Sequence, residues 1–262
     1  MYDIKDIQGF DEKRDINTHV KIDKKDLERL KPLNNFVLIK TIADVEKLKT
    51  PSGIYLVSPN AKIWDEARHA NRIGLVVSTP DILTYKSKTN KYAMDWDTDM
   101  ELKVGDVVWY SYFDDLNCQW YICEGEEYKL IPYGNCYVAK REYRGDVDTI
   151  CLNGYILCED VYAKPVSDLQ VKTKIDNRLG KVAYVGNRNK EYKIYKYNDC
   201  ADVNVGDIII KRDKRVRILL EDEYYASFDD KKIFWVIQRK DIMGIMSQEY
   251  YNNNYSKCEN NK

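Results

Sequence analysis

The chain predicts an all-β protein built as two small β domains in tandem, and three observations carry that reading. A seven-residue run, Leu102-Lys103-Val104-Gly105-Asp106-Val107-Val108, returns as Val203-Asn204-Val205-Gly206-Asp207-Ile208-Ile209. Each copy of the run has the same neighbours in the same order: two apolar strands before it, then an acidic hairpin and a closing apolar strand after it. Short strand patterns punctuated by turns fill the space between Pro32 and Met246, rich in Tyr and β-branched residues and nearly free of helix signals, which is the pattern of a small Greek-key barrel or sandwich.

The elements follow in order. The opening strand of copy 1, Asn34 to Ile39, has its counterpart in Asn153 to Cys158, 119 positions on. The second strand, Ile73-Gly74-Leu75-Val76-Val77, matches Leu179-Gly180-Lys181-Val182-Ala183 at an offset of 106, and the Val-Gly-Asp turns lie 101 apart. The acidic hairpins, Glu124-Gly125-Glu126-Glu127-Tyr128 and Glu221-Asp222-Glu223-Tyr224, are separated by 97. Closing strands run from Asn135 to Ala139 and from Asp241 to Met246. The offsets shrink along the chain because loops absorb length changes while strands persist. At each turn, the glycine before Asp allows a positive φ and the flanking Val and Ile residues are expected to re-enter the core. Two helix signals, Asp44 to Leu48 and Ala61 to Ala70, fall in loop territory.

The boundaries predicted from these patterns are an N-terminal arm over residues 1–30, a first barrel over 31–144, a joint at Gly145-Asp146-Val147-Asp148, a second barrel over 149–246 and a polar C-terminal arm over 247–262. Within the first arm, Asp23 to Leu30 forms a short helix with Asp23 as N-cap, either solvated or docked on a neighbour. The Asn- and Tyr-rich tail is expected to be disordered on its own.

Composition bounds the function. The 262 residues carry 42 basic and 43 acidic side chains, a formal charge of −1, so no global field attracts nucleic acid or an anionic membrane. No apolar run approaches the roughly 20 residues that span a bilayer, and the first residues lack the apolar core of a signal peptide, which points to the cytoplasm. Seven cysteines with no CxxC pair and no nearby His argue against zinc; Cys136 and Cys158 read as small core residues. The two histidines, His19 and His69, lie in the arm and the first loop. Neither a nucleophile elbow nor a phosphate loop is present, so no enzyme activity and no cofactor is expected. Acidic pairs such as Glu126-Glu127 and Asp229-Asp230 read as solvated turn residues. The most basic stretch, Lys211 to Arg217, reads as a solvated strand face; nucleic-acid contact would ask for interleaved stacking aromatics, which it lacks.

In their order, these elements resemble the GroES-type co-chaperonin family. Lys31-Pro32-Leu33 followed by an apolar run resembles the family's opening strand, and Ser52-Gly53-Ile54-Tyr55-Leu56 looks like the Gly-Ile-Val-Leu tip of its mobile loop. The Gly74 strand, the Val-Lys-Val-Gly-Asp-x-Val turn, the acidic hairpin and the closing strand are similar to the elements that follow it. The resemblance covers about Lys31 to Met246, twice over, and implies two tandem GroES-like barrels. Copy 2 departs at the loop, with Ser167-Asp168-Leu169-Gln170-Val171 where the Gly-Ile-x-Leu tip would stand.

The resemblance implies a chaperonin as partner, held by Gly53, Ile54, Tyr55 and Leu56, and self-association into a ring or closed multimer through edge strands carrying Phe36, Leu38, Ile242 and Ile245. The residues themselves leave a second reading of the loop open, in which Ile54 to Val57 form a strand packed on the barrel. A different role for the same fold, as a structural component of a viral particle with other virion subunits as partners, is also open.

Overall fold

Strands make up nearly all the regular structure of the chain, described by a computed structural model over residues 19–42, 47–49, 55–57, 72–84, 96, 98–111, 118–162, 175–188, 202–212, 217–219 and 233–255. The first half contains β1 (His19–Lys21), α1 (Lys24–Arg29), β2 (Phe36–Thr41), β3 (Lys47–Lys49), β4 (Tyr55–Val57), β5 (Arg72–Ser78), β6 (Val107–Tyr110), β7 (Gln119–Cys123), β8 (Glu126–Pro132), β9 (Cys136–Tyr143) and β10 (Asp146–Cys151). The second half contains β11 (Tyr155–Glu159), β12 (Leu179–Val185), β13 (Ile208–Lys211), β14 (Arg217–Leu219), β15 (Ile233–Gln238), β16 (Ile242–Met246) and α2 (Gln248–Asn254). The protein is therefore all-β, as predicted. No helix among the described residues is long and apolar enough to cross a membrane.

One sheet runs β1-β7-β8-β2-β5-β6-β9-β10 and the other β14-β15-β11-β12-β13-β16, with β3 and β4 as a separate two-stranded ribbon. Each large sheet has two free ends, so the expected closure into barrels is not seen among the described strands. Without β1 and β10, the first sheet has the strand order of the second, position for position.

The irregularities are duplicated as well. A shift in pairing between Leu38 and Ile39 recurs between Leu157 and Cys158, at the offset of 119 read from the sequence. Another, between Trp109 and Tyr110, recurs between Ile210 and Lys211, at the offset of 101. The Val-Gly-Asp turns coincide in detail: Gly105 and Gly206 both have φ of +94°, a conformation that is costly for a residue with a Cβ. Gly105 N donates to Val76 O at 2.9 Å and Gly206 N to Val182 O at 2.8 Å. The carboxylates of Asp106 and Asp207 then close the turns by accepting from Lys103 N and Asn204 N, at 2.7 and 2.8 Å. Val108, Ile208 and Ile209 do enter the core, but Val104 and Val205 stay exposed at the tips of the turns. Gly74 and Gly180 share a second reason for being glycine. A Cβ at Gly74 would overlap Ile39 Cγ2, and one at Gly180 would stand 2.9 Å from Cys158 Cβ.

The predicted joint is not a linker, and several local expectations are revised. Gly145 is the bend of a β-hairpin, since Asp146–Cys151 pairs antiparallel with β9 in the first sheet; the chain passes to the second sheet at Leu152–Gly154. Lys47 and Leu48, read as helical, stand in β3. Helix α1 forms where predicted, yet the Asp23 side chain makes no capping bond; its backbone oxygen accepts from Asp26 N and Leu27 N instead. This arm is docked, with Leu27 buried beside Leu38 and Cys123 and β1 running parallel to β7. Over Ser247–Tyr255 the tail is ordered: Ser247 Oγ caps α2 by accepting from Tyr250 N, and the Tyr255 hydroxyl donates to Asp176 Oδ2 at 3.4 Å.

Lys211 is also buried, against the expectation of a solvated face. Its ammonium donates to Asn177 O and lies 4.2 Å from the centroid of the Trp235 ring, so a hydrogen bond and a cation–π contact replace water. Arg212 is exposed, while residues 213–216 lie outside the described residues.

The two sheets share a core. Ile73, Trp109 and Tyr137 from the first pack with Tyr155, Leu157, Phe234 and Val236 from the second. Cys136 and Cys158 are buried in the cores of their own halves, as expected. Burial pushes the thiol of Cys158, and that of Cys151 in the shared core, up to about 12.

Candidate interaction site

The loop singled out in copy 1 is a β-ribbon at its base. Strands β3 and β4 pair antiparallel with Lys47 opposite Val57, Leu48 opposite Leu56 and Lys49 opposite Tyr55. Apolar residues on both arms of the ribbon suit the short extended backbone. Tyr55 and Leu56 thus stand on a strand, while Gly53 and Ile54 lie outside the described residues. Neither β3 nor β4 pairs with a strand of either large sheet among the described pairings. The expectation of a strand over Ile54 to Val57 is met for its last three residues, which among the described residues pair with β3 alone. The copy 2 counterpart, Ser167 to Val171, lies outside the described residues.

The predicted edge residues divide. Phe36 and Leu38 lie on β2, which is paired on both sides, with β5 and with β8, and Leu38 has no exposed surface; they do not form an edge. Ile242 and Ile245 lie on β16, at the end of the second sheet's strand order. There Met243 is 62% and Ile245 43% exposed. The equivalent strand of copy 1, β9, is covered by β10, and its Tyr137, Val138 and Ala139 are buried.

A polar cluster at the junction of the two sheets was not visible in the motifs. Glu101 lies in the stretch that leads to the first Val-Gly-Asp turn. Its Oε2 accepts from Tyr133 hydroxyl at 2.8 Å and from Asn153 N at 2.7 Å, and its Oε1 accepts from Asn187 Nδ2 at 2.7 Å. Asn153 Nδ2 reaches back to Tyr133 O and Cys136 O, at 2.7 and 3.1 Å. Trp96 closes the cluster by donating to Asn187 O at 3.1 Å. The repeat offsets could have found part of it. They place Asp202 opposite Glu101 and Arg239 opposite Tyr133, and in copy 2 these pair directly, with Arg239 Nη1 2.8 Å from Asp202 Oδ1.

All three protein donors on Glu101 favour its carboxylate, yet burial outweighs them and holds the group above the ordinary carboxylate range. A raised native value means that the folded chain holds the proton more tightly than the unfolded chain. The contribution of Glu101 to stability is complete below the ordinary value of 4.5 and is lost as pH rises through the raised one. The stability of the wild type relative to Glu101→Gln, followed by urea unfolding, should therefore fall as pH rises above 4.5. A pH-independent difference would rule this out. Every oxygen of the carboxylate is engaged in joining the sheets, which makes the cluster a structural junction.

No protein-family model matches the chain, and no curated protein matches it.

Proposed function

We propose that the chain is a non-enzymatic, tandem co-chaperonin-like protein. In this reading, two GroES-like Greek-key barrels form a ring or closed multimer that binds a chaperonin through the Gly53-Ile54-Tyr55-Leu56 tip of copy 1. The observation that carries it is the β3–β4 ribbon, which lies in the chain between β2 and β5 and, among the described residues, pairs with neither large sheet. Its apolar residues suit insertion of an extended segment into an apolar groove. Ile54 and Leu56 would contribute about 3–6 kcal/mol gross, at roughly 1.5–3 each, and ordering the loop consumes much of it. Useful affinity then depends on several loops acting together on a ring.

Incubating the tagged chain with chaperonin rings and nucleotide, followed by pull-down, tests the reading. Retention of the chaperonin is expected. A second reading, a structural subunit of a viral particle that reuses the fold, is favoured by the missing tip in copy 2, where Gln170 stands in place of an apolar anchor. Failure to retain any chaperonin would favour this second role.

A further inference from the structure

The junction inside the chain is a template for a contact between chains, and the repeat says which residues would make it. Inside, the second sheet docks on the first through a face that includes Tyr155, Leu157, Phe234 and Val236. The pairing offsets carry these to Phe36, Leu38, Tyr128 and Leu130 on the first sheet. That face is already occupied. The N-terminal arm covers it, with Leu27 buried against Leu38 and with Ile22, Leu30, Tyr128 and Leu130 packed around them. At the far end of the chain part of the complementary surface is uncovered: Met243 on β16 is exposed where its counterpart on β9, Tyr137, is buried in the core the two sheets share, and Ile245, two residues further on, is exposed as well. The same offset of 119 sets residues 27–32 at the positions of β10 (Asp146–Cys151), the strand that covers β9. In the docked arm, however, residues 27–29 belong to helix α1.

We propose that the arm over His19–Leu30 is a built-in cap on self-assembly, occupying the face on which a second copy of this chain would dock. Its release exposes Leu38, Tyr128 and Leu130 to the β16 end of another chain, and frees residues 27–32 to pair along β16 as β10 pairs along β9. The arm suits such a role because it is weakly built. Helix α1 has six residues, far fewer than an isolated helix needs to persist in water, and β1 joins the sheet only at its outer edge. The resulting contact is head to tail, which closes into a ring or continues as a filament. This inference rests on the self-assembling role proposed above.

Sedimentation velocity over a concentration series tests it, with the full chain, Leu27→Asp, Ile245→Asp, and Leu27→Asp combined with Ile245→Asp. Leu27→Asp is expected to lower the concentration for half-assembly tenfold or more, and Ile245→Asp to reverse that gain. A Leu27→Cys chain cross-linked to Cys123 by oxidation locks the arm, and should lose association until a reductant is added. If wild type and Leu27→Asp associate equally and both lose it with Ile245→Asp, self-assembly stands and the cap is overturned. If no variant associates at any concentration, both are overturned. Should Leu27→Asp fail to fold, unchanged association of the cross-linked chain overturns the cap alone.

Discussion

Trp109→Ala is expected to destabilise the protein by about 3–5 kcal/mol and to lower the unfolding of both halves together. Trp109 has no exposed surface. It stands in the core that also holds Tyr155, Leu157, Phe234 and Val236 from the second sheet. Its removal opens a cavity between the sheets, so neither can keep its inner face dry without the other. The loss should fall toward the lower end of that range, because the indole Nε1 is buried without a hydrogen-bond partner and alanine removes that unfavourable group as well. Urea unfolding followed by circular dichroism is the measurement. One transition, moved to lower urea, is the expected outcome, whereas a curve that splits into a shifted and an unshifted step would mean that the sheets do not depend on a common core.

The second large effect is on binding. Replacing Ile54 and Leu56 with serine together should leave the melting temperature unchanged and abolish retention of a chaperonin. In the proposed role the tip is spent on a partner and not on the folded cores, so the double substitution removes binding and leaves stability unchanged. Leu169→Ser with Val171→Ser in copy 2 should leave chaperonin binding intact, since that segment lacks the glycine and one apolar anchor of the tip. A melt that collapses by several kcal/mol, at roughly 2–5 for each large apolar residue lost, would instead place Ile54 and Leu56 in the core.

What the sequence disclosed was local chemistry repeated at fixed offsets. Gly105 and Gly206 are legible because a left-handed turn favours glycine, and Asp106 and Asp207 because a carboxylate closes the turn onto a backbone N–H three residues earlier. The strands between them follow from their apolar and β-branched runs. Features that depend on distant partners were hidden. Gly145 carries the same signal in a hairpin as in a linker, and only pairing with β9 decides that Asp146–Cys151 is a strand. Lys211 sits among Lys and Arg and reads as solvated, while the ring that shelters it belongs to Trp235 on another strand. The Glu101 junction joins residues from five stretches of chain, none of which is distinctive alone. Leu38 reads as an edge residue for a related reason, since strand order in a sheet follows from pairing and not from position in the chain, and β2 is paired on both sides.

Hydrogen–deuterium exchange of the full chain, alone and with chaperonin rings, tests the proposed anchor most directly. Amides over residues 47–57 should exchange more slowly in the complex, with the strands of the second sheet unchanged. Unaltered exchange over 47–57 in the presence of a bound chaperonin, or no binding at any ring concentration, would contradict the role assigned to the copy 1 ribbon.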